Sequence, residues 1–225
     1  MKVSKILLLA ILIFLQSCAF NQNDDNEIYL PGREFQFVVY YSDSTDSLRK
    51  VDTLELKVTN DFYPQRSQTA IDWIHHQANK NDTTIVKETT GVIDSKDSYF
   101  IHPPREGDLH ILSFAEFPTI NTFVFKDSTS KSNSTGKVSM AKTYKGKTIT
   151  HVETNQKYQG KTTIDIPYQK NYRVHHLKAT AKSELGTILG NYYFSEKLGF
   201  VRLDYELPDQ TKISMQLSRI DFKKF

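Results

Sequence analysis

The chain has 225 residues, with 29 Lys+Arg against 26 Asp+Glu for a formal net charge of +3, and a single cysteine. A charge so nearly balanced argues against nucleic-acid binding through bulk electrostatics, and one thiol excludes a disulfide framework or a cysteine-rich metal site. The length is ample for a domain stabilised by its core alone.

The N-terminus reads as an export signal. Lys2 and Lys5 precede an unbroken apolar run from Ile6 to Leu15, the pattern of a basic n-region followed by an h-region. Ten apolar residues are too few to cross a hydrocarbon core, which takes about 20 in a helix. The run is followed by Leu15-Gln16-Ser17-Cys18. This stretch resembles the lipobox of bacterial lipoproteins, and the resemblance implies cleavage before Cys18, with acyl chains on its sulfur and amine. Each buried methylene is worth about 0.8 kcal/mol, so two or three chains hold a protein on a membrane. Ala19 rather than Asp follows the cysteine, and in the lipoproteins it resembles that implies sorting to the outer membrane. The expected divisions are a signal peptide over 1–17, a lipidated cysteine and polar tether over 18–32, and a folded domain over 33–225.

Without Lys2 and Lys5 the mature chain carries 27 basic and 26 acidic residues, a net of +1. The charge is unevenly spread: 9 basic and 17 acidic residues over 19–125, then 12 and 3 over 126–182, then 6 and 6 to the end. The basic middle suits either an anionic partner or lipid head groups, or outward and edge lysines that discourage sheet-to-sheet pairing.

The folded part alternates in polarity. Phe35, Phe37, Val39 and Tyr41 define one strand face, and Leu54, Leu56 and Val58 another; with the polar stretch Ser42–Ser47 between them they read as an opening hairpin. Gln68 to Ala78 fits a strand or a short helix. Strands are expected at 84–93, 97–102, 109–114, 120–126, 137–144, 147–154 and 161–167, with a loop over Asp127–Thr135. The end of the chain alternates most clearly, at 172–183, 187–195, 199–207 and 211–220, joined by short turns. Val201, Leu203 and Tyr205 should face the same interior as Ile213, Met215 and Leu217. The fold class expected is all-β: a single curved antiparallel sheet, half-barrel or open barrel, with room for one short helix.

Gly91-Val-Ile, Ile101-His-Pro-Pro-Arg105, Glu116-Phe-Pro118 and the run from Tyr193 to Tyr205 resemble uncharacterised envelope lipoproteins. What that resemblance implies is a periplasmic half-barrel, loosely like the lipoprotein-carrier folds (LolA- and LppX-like), and no catalytic motif.

Chemistry-bearing motifs are sparse. There is no Gly-x-Ser-x-Gly, no Gly-rich phosphate loop and no His-Glu-x-x-His. The pairs His75-His76 and His175-His176 could supply nitrogen ligands to a metal. If 172–183 is a strand, that pair contributes one side chain per face, and if 68–78 is a helix, Asp72 and His76 share one. Packed or surface imidazoles are the alternative, and neither a metal nor a cofactor is expected. In Ile101-His102-Pro103-Pro104-Arg105 the two prolines stiffen the exit from a strand. His102 and Arg105 are therefore candidate ligand-binding residues at a barrel mouth, or members of a corner in which Arg105 meets a carboxylate.

The functional expectation is a lipid-anchored cell-envelope lipoprotein at the outer membrane, non-enzymatic, with Cys18 as the lipidation site. Its partners would be the membrane, through those acyl chains, and a lipid-like ligand or an envelope protein. A periplasmic or surface hydrolase is the alternative.

Overall fold

Residues 28–63, 68–78, 83–126 and 133–222 are described by a computed structural model. The leader, Cys18 and the tether up to residue 27 lie outside the described residues. Twelve strands form one antiparallel sheet: β1 (Arg33–Ser42), β2 (Leu48–Tyr63), β3 (Gln68–Ala78), β4 (Thr83–Asp94), β5 (Ser98–Ile101), β6 (Thr119–Asn121), β7 (Asn133–Tyr144), β8 (Lys147–Ile166), β9 (Gln169–Ser183), β10 (Gly186–Ser195), β11 (Gly199–Glu206) and β12 (Lys212–Phe222). The spatial order is β6-β5-β4-β3-β2-β1-β12-β11-β10-β9-β8-β7. Two meanders thus run outward from the central pairing of β1 with β12.

The sheet curls until its halves meet. β5 and β10 stand seven places apart in the strand order, which in a flat sheet would separate them by about 34 Å at the usual strand spacing. Yet the Tyr99 and Phe194 rings lie with centroids 4.7 Å apart. At the sheet's two margins the Gln156 side chain of β8 accepts from Thr119 N–H and donates to Thr119 C=O of β6. The result is an open barrel whose seam is bridged by a side chain in place of a backbone ladder.

Alternation sets the inner face. In β1 from Phe35, in β2 from Asp52 to Val58 and in β3 from Ile71 to Gln77, every second residue is buried, including Phe37, Val39, Leu54, Leu56 and Trp73. Val201, Leu203 and Tyr205 face inward with Ile213, Met215 and Leu217, all buried, and the register pairs Leu203 with Met215 and Tyr205 with Ile213.

Several segments differ from their sequence reading. Residues 109–114, expected as a strand, form a 3-10 helix (Gly107–Phe114). Leu109, Ile111, Leu112 and Phe114 are all buried there, so no polar face remains for a strand to expose. The expected strand 120–126 is β6 followed by a single helical turn, α1 (Phe123–Lys126). Gln68–Ala78 is a strand, with Ile71, Trp73, His75 and Gln77 alternating on its inner face, while Gln68 is buried on the opposite face against Gly91 and Tyr63. The two strands expected at 147–154 and 161–167 are one, β8, which continues through the polar middle. Of the expected loop 127–135, residues 127–132 lie outside the described residues and Asn133–Thr135 belong to β7.

The concave face is filled by the chain itself. The span between β5 and β7 crosses it, burying the 3-10 residues and Val124 in the same cluster as Leu203 and Leu217. At the opposite end the long β8–β9 hairpin bends over the opening, and Tyr168 N–H donates to Leu217 C=O. Ile28 and Tyr29, assigned from sequence to the tether, close that end too and are 2% and 5% exposed. Tyr29 N–H donates to Asp94, and its hydroxyl accepts from Phe200 N–H. Gly199 sits at φ +77° against the Tyr29 hydroxyl, and a Cβ there would collide with it.

Candidate functional site

Three clusters hold the chemistry-bearing side chains among the described residues. The first surrounds His102 and Arg105. His102 directly follows β5, and its C=O accepts from Trp73 Nε1 (3.0 Å) and Thr90 Oγ1 (3.2 Å). Its ring is buried among Tyr63, Phe100 and Phe117. Arg105 turns away: its N–H and Nε both donate to the Glu88 carboxylate, and its guanidinium covers Phe117. The structure therefore places both candidates against Phe117, with His102 packed among aromatic rings and Arg105 paired with Glu88.

The second cluster is buried under the 3-10 helix. Asp52 and His75, each 2% exposed, meet at 2.9 Å. The second Asp52 oxygen accepts from Ala78 N–H (2.8 Å), Lys50 reaches Asp52 at 3.2 Å and Asp108 at 2.8 Å, and Gln77 lies 3.4 Å from His75 Nδ1. Burial lowers the His75 pKa, against an opposing pull from Asp52. The neighbouring His76 points outward, 3.3 Å from Glu55, and Asp72 bonds Thr89. Because 68–78 is a strand, Asp72 and His76 do not share the helical face proposed for them.

The third is an open cleft of about 470 Å³ where β8 and β9 bend past the β10–β11 turn. Its geometry starts with a bulge: Tyr158 pairs with Leu177 and Lys161 with His175, so skipping one residue keeps both on the inner side. His175 is 2% exposed, while His176 faces outward and stacks on Tyr193 with centroids 4.8 Å apart. One side chain per face is what a strand demands. His175 Nδ1 accepts from the Tyr158 hydroxyl (2.9 Å) and its Nε2 donates to Glu196 Oε1 (2.8 Å), the tautomer that satisfies both nitrogens. Lys161 Nζ reaches that same oxygen at 3.2 Å. The Ser195 hydroxyl sits 2.8 Å from Tyr172 Oη and accepts from the N–H groups of Lys197 and Leu198.

Charge is unbalanced here. Among the described residues, Lys161, Arg173 and Lys197 line the cleft against one carboxylate, that of Glu196. Burial lowers the His175 pKa, so the imidazole favours its neutral form. For Glu196 burial acts upward but is outweighed by the hydrogen bonds from His175 and Lys161, and the carboxyl titrates below its ordinary range. Such an arrangement can bind an anion.

Sequence reasoning singled out His175 but missed its partners. Glu196 and Ser195 come from a turn 20 residues away, and Tyr158 and Lys161 from the preceding strand. The one available signal was the lysine-rich stretch over 126–182. Among the described residues no group of three or more His, Cys, Asp or Glu is placed to hold a metal.

No protein-family profile matches the chain, and no curated protein matches it. Among solved structures it is similar to a Bacteroides fragilis protein provisionally described as exported and as having a YmcC-like fold. The two share 12% identity with a TM-score of 0.48, over 86% of this chain and 97% of that one.

Proposed function

We propose that the chain is a cell-envelope lipoprotein, held at the outer membrane by acyl chains on Cys18, whose folded domain is a non-enzymatic binding module. The observation that carries this reading is the filled concave face: residues of the 3-10 helix and α1 take the interior that a lipid carrier would leave open. Partners are therefore met on the outside of the barrel. This supports an envelope partner or the head of an amphiphile as the ligand, and argues against an apolar chain held in the concavity.

The hydrolase alternative is disfavoured at the cleft, where both His175 nitrogens and the Ser195 hydroxyl are engaged by Tyr158, Glu196, Tyr172 and the turn itself. The folded domain begins by Ile28, only ten residues beyond Cys18, so the barrel stays close to the bilayer.

Membrane fractionation tests the proposal. Expressed with its own leader in a Gram-negative host, the wild type should sediment with outer membranes and be released by detergent but not by salt. Cys18→Ser should lose that association while keeping its fold by circular dichroism. An unchanged membrane fraction for Cys18→Ser would overturn the anchor.

A further inference from the structure

The cleft beside His175 has features that a solvated strand face does not need. Three cations converge on it, from β8 (Lys161), β9 (Arg173) and the β10–β11 turn (Lys197), and the Tyr172 hydroxyl joins them on its wall. Arg173 offers a planar fork of donors suited to a tetrahedral oxyanion, and the lysines add compact charge. Glu196, the one carboxylate among the described residues that line the cleft, has one oxygen held by both His175 and Lys161. Yet the Glu196 side chain is 49% exposed, so nothing in the packing prevents it from swinging into solvent. It occupies its donors as an internal stand-in for an external anion.

We propose that this cleft binds a phosphate group, with the ligand oxyanion displacing Glu196 from His175 and Lys161. A phosphomonoester carries a charge of about −1.5 to −2 at neutral pH, which matches three cations offset by one carboxylate. The volume of about 470 Å³ leaves room for an organic group beyond the phosphate. The source is either a soluble phosphate ester or the headgroup of an anionic phospholipid; both present the same chemistry to the same donors. The inference rests on reading the domain as a binding module and is independent of the anchor.

The test uses the mature protein in neutral detergent, titrated calorimetrically with inorganic phosphate and, separately, with mixed micelles containing phosphatidic acid or phosphatidylcholine. Saturable binding of phosphate or of phosphatidic acid is expected. Arg173→Ala and Lys161→Ala should each weaken it about tenfold, the factor contributed by one charge-assisted hydrogen bond. Glu196→Gln should tighten it by a similar factor, because the competing carboxylate is gone. Phosphate binding with no response to phosphatidic acid assigns a soluble ligand, and stronger binding of phosphatidic acid assigns a lipid headgroup. The proposal is overturned if neither probe binds, or if Glu196→Gln leaves the affinity unchanged or weaker. It also falls if Lys170→Ala, at the exposed hairpin tip paired with Asp165, weakens binding as much as Arg173→Ala. Failure of acylation at Cys18 would remove the anchor and leave these outcomes unaffected.

Discussion

The Tyr192 hydroxyl donates to the Glu116 carbonyl at 2.5 Å, joining β10 to the segment that fills the barrel. That bond spans 76 residues of sequence and is made at a side chain 1% exposed. It fixes the return of the chain from the 3-10 helix toward β6. Tyr192→Phe would leave a carbonyl without its donor, and the expected cost is about 1–3 kcal/mol. Leu112→Ala removes a fully buried side chain from the same segment and should cost about 2–5 kcal/mol. Denaturant melts check both; a Leu112→Ala variant as stable as wild type would mean the segment is not part of the core.

The two faces of β11 should respond differently. Leu203 is buried against Met215, and Leu203→Ala is expected to lose about 2–5 kcal/mol. Arg202 lies on the outer face, paired with Asp204 and over the Tyr193 ring. The pair is part-buried at the surface, where solvent still screens it, so Arg202→Ala should lose about 1 kcal/mol, less than Leu203→Ala. Urea midpoints in the reverse order would turn the strand inside out.

The folded domain includes Ile28 and Tyr29, ahead of β1. Tyr29 contacts Phe35, Asp94 and the Phe200 amide, so it holds three separate elements at one end of the barrel. A chain starting at Ile28 should unfold cooperatively at the same denaturant concentration as the mature protein. Tyr29→Ala should lose about 3–5 kcal/mol, the range for a buried aromatic side chain. Equal midpoints for Tyr29→Ala and wild type would return these residues to the tether.

Much of the sheet was legible because buried and exposed residues alternate along it, as at Phe35, Phe37 and Val39. The exceptions have physical causes. In β3 the inward positions include His75 and Gln77, polar side chains that blur the pattern until Asp52 is seen to meet His75 and His75 to meet Gln77. In β8 the middle stretch, Asn155 to Gly160, lies near the barrel margin, where few residues need to be apolar, so one strand read as two. The segment 109–114 is apolar without being a strand because most of it is buried, the turn at 123–126 buries Val124 alone, and short apolar runs carry no period. The cleft was least legible of all. Glu196, Lys161 and Tyr158 are brought to His175 by a bulge and a turn, and no spacing in the sequence encodes that meeting.

The buried histidines predict a pH dependence. Burial lowers the pKa of both His75 and His175, outweighing Asp52 and Glu196; Lys50 acts with burial at the first, and Lys161 and Arg173 at the second. An unfolded histidine titrates near 6.5, so between the folded and unfolded values the unfolded chain binds more protons. The stability they contribute is complete above about pH 6.5 and is lost as pH falls through the folded values. The unfolding free energy should decline below about pH 6.5, by at most about 1.4 kcal/mol per pH unit for each histidine. The double variant His75→Gln, His175→Gln should flatten that decline between about pH 5 and 6.5. A slope unaltered by the double variant would exclude them as its source.

The proposed lipid anchor on Cys18 is tested most directly by the intact mass of the protein extracted from membranes after expression with its own leader. The account predicts a chain that begins at Cys18, heavier than its polypeptide by a diacylglycerol and an amide-linked acyl chain, and no such species from Cys18→Ser. A full-length chain, or one cleaved near Cys18 with the polypeptide mass alone, would contradict it.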